Sequence, residues 1–172
     1  MEGGSYSGKQ SGIITSSSSN YGAPGTYEVH RSGGLSAPNG MIFLSASFGE
    51  ASNYGRESNK NIDTYHIKLN NPLVVTGSTD GEMLKNAWEK LHPGKSYPKG
   101  PMTSKKWQTR DRENASALSK SSYDAIIYKK SSGRHEVQIP KKDADRLVKT
   151  KTTKHSGKLY TYDNRWISYD EY

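Results

Sequence analysis

Apolar positions along this chain come in short runs whose spacing changes from a strand period to a helix period and back. Thr26-Tyr27-Glu28-Val29-His30-Arg31 alternates like a half-buried strand, and Gly33-Gly34 breaks it. Met41 to Leu44, entered from Pro38-Asn39-Gly40, predicts a second strand that passes through Ser45-Ala46-Ser47 into a helix around Glu50 to Tyr54. Thr64 to Leu69 and Leu73 to Val75 predict an extended region bent at Asn70-Asn71-Pro72, because proline fixes φ and carries no N–H. Met83, Leu84, Ala87, Trp88 and Leu91 share one face of a helix over 80–91, capped by Ser78 or Thr79 and ended by Pro93-Gly94. Lys105 to Lys120 predicts a charged helix anchored by Trp107 and Leu118. Two short strands follow, Ala125 to Tyr128 and Glu136 to Ile139, joined by the Lys129 to Gly133 loop. Leu147 to Thr153 and Leu159 to Tyr162 then predict a closing hairpin around His155-Ser156-Gly157-Lys158. The order of strands, helices and strands predicts an α+β domain over 26–172, with no internal repeat.

Composition adds a boundary. Residues 1–25 contain 13 Gly or Ser, including Ser16 to Ser19, too few apolar groups to offset the entropy of ordering, so this stretch is expected to be a flexible leader. The hydrophobic share of the whole chain is 31%, which predicts a compact domain with long polar loops. The longest early apolar run is Ile13-Ile14, so neither a secretory signal nor a bilayer span is expected, and the chain is expected to be soluble and monomeric. Without cysteine there is no thiolate nucleophile or thiolate metal site. The histidines are scattered, none in an i,i+4 pair with a carboxylate, so the chemistry is expected to be metal-free.

The net charge of +8 is unevenly placed: residues 92–160 hold 17 Lys and Arg against 6 Asp and Glu, a net of +11, which leaves about −3 elsewhere. Such a charge attracts nucleic acid, an acidic protein face or an acidic neutralising protein. A glycine fingerprint between strand and helix is absent, as are a Gly-Lys-Ser/Thr phosphate loop and a Gly-x-Ser-x-Gly elbow, which argues against Rossmann, kinase and serine-hydrolase readings.

Three segments taken in order resemble the ADP-ribosyltransferase superfamily, in its arginine-serine-glutamate branch: Val29-His30-Arg31-Ser32-Gly33, Ile42-Phe43-Leu44-Ser45-Ala46-Ser47 and Arg134-His135-Glu136-Val137-Gln138-Ile139-Pro140. Glu50 to Tyr54, Tyr65 to Val75 and Tyr123 to Tyr128 are similar to the family's intervening elements, and the likeness spans roughly 26–140. Ala46 stands where the family usually has threonine, Ser32 where it often has glycine, and Arg134 where it commonly has Glu or Gln. The resemblance implies a split sandwich of two small, mostly antiparallel sheets around an NAD cleft. It further implies a toxin or effector that acts in the cytoplasm of a target or host cell, delivered as secreted cargo. NAD is then the substrate, and ADP-ribose passes to nucleic acid or protein.

Residue chemistry fits those implied roles. Breaking the nicotinamide–ribose bond builds positive charge on the ribose, which a fixed carboxylate at Glu136 stabilises. Arg31 offers a bidentate fork to the pyrophosphate, Ser45 a hydroxyl to orient Glu136, and Tyr54 or Phe48 a ring for the nicotinamide. His30, Ser32 and Ser47 complete the expected cofactor-binding set. Arg134, Lys129 and Lys130, with Lys141 and Lys142, are expected to form a cationic rim that receives the acceptor. Blander roles compete: Ser45 or Ser47 as helix cap, Glu136 as an edge residue, His30 and His135 as hydrogen-bonded scaffold, and Tyr160, Tyr162 and Trp166 as sheet packing. Two rival activities remain open, an NAD glycohydrolase in the same cleft and a non-catalytic nucleic-acid-binding module using the basic later half.

Overall fold

Tyr27 and Val29 are fully buried on strand β2 (Gly25–Ser32), as the alternation of that segment requires. The structure, a computed structural model, describes residues 12–55, 61–101, 103–154, 159–160 and 166–167. Around β2 lie β1 (Ile13–Ile14), β3 (Met41–Ser45), helix α1 (Phe48–Gly55), β4 (Ile62–Leu69) and β5 (Pro72–Gly77). Helices α2 (Asp80–Leu91) and α3 (Ser104–Lys120) follow, then β6 (Ala125–Lys130), β7 (Glu136–Pro140), a 3-10 turn (Lys141–Arg146) and β8 (Val148–Thr153). A separate two-stranded pair is formed by β9 (Leu159–Tyr160) and β10 (Trp166–Ile167).

The fold is α+β, and its main sheet has eight strands in the order β5-β6-β7-β3-β2-β4-β8, with β1 lying parallel to β2. Strand β2 runs antiparallel to β4 through all of Gly25 to Ser32, and β3 runs antiparallel to β7 through all of Met41 to Ser45. Between β2 and β3 there is one residue pair, His30 with Ser45. The two sheets expected from the sequence are therefore bonded into one mixed sheet, through a seam one pair wide. Strands β5 and β6 are parallel, which obliges the chain to cross over, and α2 and α3 form that crossover.

Side chains of β6 explain its unbroken apolar run. Ile127 joins the core with Val29, Leu44 and Val137, while Ile126 and Tyr128 point to the other face and pack with Met83, Ala87 and Leu118 from the two helices. A strand covered on both faces reads as a continuous run, not an alternation. Thr79 caps α2 and Thr103 caps α3, each accepting a backbone N–H from the first turn.

Three sequence expectations need correction. Residues 12–25 are folded, not a flexible leader: Ile14 and Tyr21 are core residues, and Thr15 and Ser18 bond one another's groups in a tight turn. Two apolar anchors and a self-satisfied serine turn suffice where overall composition suggested none; residues 1–11 lie outside the described set. Strand β8 pairs with β4 and not with β9, because β4 offers a full edge and Thr152 Oγ1 donates to Asp63 Oδ1 at 2.7 Å. Its lysines keep that outer edge polar. Trp107 does not anchor α3 in the core, being 38% exposed. The side chains of Tyr160, Tyr162 and Trp166 fall outside the described residues.

Candidate active site

Where β2 and β3 part beyond their single pair, the chain leaves a cleft of about 280 Å3 lined by His30, Arg31, Ser32, Phe43, Leu44, Ser45, Ala51, Tyr54 and Glu136. Residues from the ends of β2 and β3, the first position of β7 and one face of α1 thus meet at the seam. Glu136 is no edge residue, since β7 is flanked by β3 and β6 and Glu136 sits opposite Ser45 on one side and Tyr128 on the other. The half-buried carboxyl has its pKa raised, chiefly by loss of solvent, while Gln138 and Lys130 pull it back and Asp80 and Asp111 add to the rise.

Gln138 was not singled out from sequence, although the signal was there. Residues two apart on a strand share a face, and Gln138 Nε2 donates to Glu136 Oε2 at 2.5 Å. The bond favours the ionised form and fixes the carboxylate's orientation, a role expected of Ser45. Ser45 is buried directly across the ladder from Glu136. Gln138→Leu removes the donor at nearly constant volume, so the Glu136 pKa rises further. Carbon NMR of the carboxyl measures this directly, and an unchanged titration midpoint would show that Gln138 is only packing.

Arg31 lies in the cleft wall, yet much of its fork is engaged by the protein. Nε donates to Gly34 O at 2.6 Å, Nη1 to Phe43 O at 2.7 Å and Nη2 to Ser36 O at 2.8 Å. The guanidinium ties the turn after β2, where Gly33 and Gly34 take φ of 82° and 84°, to strand β3. Five donors less three bonds leave two N–H groups for a ligand among the described residues.

His30 lines the cleft and is held by the sheet, whereas His135 lies outside the cleft lining and is held by its own neighbours. His30 Nδ1 bonds Thr64 Oγ1 at 2.9 Å and its ring meets Phe48 edge-on at 6.0 Å. His135 accepts the Lys130 N–H at 3.1 Å and stacks on Tyr21. Burial lowers the His30 pKa from 6.5 to about 4, against the pull of Glu28. The unfolded chain then takes up a proton first, so stability falls as pH drops from 6.5 to about 4, by roughly 3 kcal/mol at most. Thermal unfolding across that range checks this, and His30→Gln should flatten the acid limb.

Ser47 and Phe48 do not line the cleft. Ser47 Oγ accepts the Glu50 N–H at 3.2 Å and so caps α1, and Phe48 packs on His30. The expected cationic rim is only partly assembled. Lys130 pairs with Asp80 at 3.4 Å and Arg134 with Glu50 at 3.9 Å, which spends their charge locally. Lys141 and Lys142 begin the 3-10 turn at the far end of β7, about 13 Å along the strand from Glu136. Among the described residues no three His, Cys, Asp or Glu side chains cluster to hold a metal ion, and no helix is long and apolar enough to cross a membrane.

No protein-family model matches this sequence, and no curated protein does. Among solved structures the chain is similar to one from the M. tuberculosis MbcT–MbcA toxin–antitoxin complex, at 8% identity and a TM-score of 0.44, covering 78% of this chain and 87% of that one.

Proposed function

We propose that this chain is an NAD-dependent ADP-ribosyltransferase of the arginine-serine-glutamate kind, moving ADP-ribose from NAD to a macromolecular acceptor. The observation that carries the reading is the meeting of Arg31, Ser45 and Glu136, far apart in sequence, in one cleft at the seam of the sheet. We read that seam as the family's division between two sheets. At about 280 Å3 the cleft is small for a whole dinucleotide, and it suits the nicotinamide–ribose half. The two remaining Arg31 N–H groups suit a pyrophosphate oxygen at the mouth.

When the glycosidic bond breaks, its electrons leave with nicotinamide, which becomes neutral, and positive charge develops on the ribose. A half-buried carboxylate at Glu136 opposes that charge more strongly than it would in water. No strong general acid is required, which fits a site whose histidine, His30, is neutral at physiological pH. A toxin or effector setting with an acidic neutralising partner accords with the motif resemblance and with the basic later half.

The test is incubation of the full chain with adenylate-labelled NAD and a whole-cell extract, following free nicotinamide and label in macromolecules. Both should appear. Label found only as free ADP-ribose identifies a glycohydrolase, and undiminished NAD overturns the reading.

A further inference from the structure

Glu136 also belongs to a second cleft, of about 360 Å3, which meets the first at Phe43, Tyr54 and Glu136 and is walled by Trp107, Arg110, Asp111, Lys130 and Gln138 among others. Half of its lining comes from the helical crossover between β5 and β6. Arg110 is only 4% exposed and lays its guanidinium over the Trp107 ring at 3.9 Å. Its Nη1 donates to Tyr97 Oη at 3.0 Å and its Nη2 faces Asp111 at 3.5 Å. Among the described residues Arg110 Nε is buried with no hydrogen-bond partner.

The cleft's charges identify its occupant. Arg110 is paired with Asp111 and Lys130 with Asp80, so neither cation is spare for a phosphate inside the cleft. The partly exposed ring of Trp107 suits a flat, uncharged ring stacked against it. Arg110 also borders an adjoining groove lined by Thr103, Lys105, Lys106, Thr109 and Glu113, where Lys106 Nζ donates one N–H to Lys99 O at 3.2 Å and the two ammonium groups are suited to phosphate. A ring site next to a lysine groove, within a segment of net charge +11, is the arrangement of an unstacked base followed by its backbone.

We propose that the acceptor is a nucleobase of a single-stranded nucleic acid, seated against Trp107 and Arg110 with its phosphates along Lys105 and Lys106. The assignment rests on the transferase reading above. In the transfer, the ribose C1′–nitrogen bond to nicotinamide breaks and its electron pair stays with nicotinamide. A base nitrogen forms the new bond to C1′, and the proton it gives up passes to Glu136 and then to water. An acidic protein face, the other acceptor considered, finds its cations inside the cleft already paired.

The experiment measures binding of short fluorescent oligonucleotides, DNA and RNA, single-stranded and duplex, to the full chain across salt concentrations. Single strands of at least one of the two sugars should bind about tenfold tighter than duplex, and the DNA and RNA arms identify the source. Trp107→Leu, at a partly exposed position, should weaken binding about tenfold, and Trp107→Phe should restore most of it. Lys105→Ala with Lys106→Ala should lower the salt slope by about 1.4. A parallel incubation with labelled NAD separates the two readings. NAD left intact overturns the transferase reading. NAD consumed with label on peptide but not on oligonucleotide, or equal oligonucleotide affinity for wild type and Trp107→Leu, overturns the acceptor assignment.

Discussion

Glu136→Gln should lose at least about a hundredfold in nicotinamide release while melting at a higher temperature than the wild type. Both effects come from the same carboxyl. Its charge is what the developing ribose cation requires, and glutamine, of equal shape, has none. The folded-state pKa is raised by burial, so the native protein holds this proton more readily than the unfolded chain does. The stability that goes with the protonated form is present in acid and is lost as pH rises through the raised value. Glutamine does not titrate, so the variant's advantage should be small in acid and should widen toward neutral pH. Initial rates and thermal unfolding on the same preparations check both. A variant with wild-type turnover would remove Glu136 from the chemistry, and one that unfolds at lower temperature at neutral pH would contradict the burial argument.

Arg31→Lys keeps the charge, yet it should weaken NAD binding about tenfold or more and cost roughly 2 kcal/mol of stability. Three carbonyls, of Gly34, Ser36 and Phe43, are held by three different guanidinium nitrogens. One ammonium on a flexible stem cannot reach all of them at once. The turn after β2 should loosen from β3, and the cleft wall with it. Calorimetry of NAD binding together with denaturant unfolding distinguishes the outcomes. Lost affinity at full stability would make the arginine a pure ligand contact, and lost stability at full affinity would make it scaffold alone.

Much of the fold was legible because its strands and helices carry their own periodicity and caps: β2 through β7 and both crossover helices lie where alternation, Thr79 and the Pro93-Gly94 stop put them. The termini of the sheet were not legible. Whether β8 pairs with β4 or with β9 depends on which edge is open, a property of the assembled sheet that no local pattern encodes. Tyr21 and Ile14 were hidden by their serine-rich surroundings, since composition averages over a window and burial acts on single side chains. Arg31, Ser45 and Glu136, singled out by the order of the motifs that resemble the ADP-ribosyltransferases, line one cleft. The stack of Arg110 on Trp107, read from sequence as a helix anchor, was not legible, because three-residue spacing on a helix reads equally as core stripe or exposed stack.

The single pair joining His30 to Ser45 decides where this sheet is compliant. Sliding β2 along β4, or β3 along β7, would break a full ladder of backbone bonds. Rotating one half of the sheet against the other about the seam disturbs one ladder pair, with the Arg31 bond to Phe43 O and the core packing of Val29 on Leu44 left to resist it. Backbone pairing is therefore sparsest beside the cleft, while the strands that carry Arg31 and Glu136 are each held by a full ladder in their own halves. Amide exchange should record the division, with protection along the β2–β4 and β3–β7 ladders and a weak point between β2 and β3 that firms up when a ligand bridges the two sides.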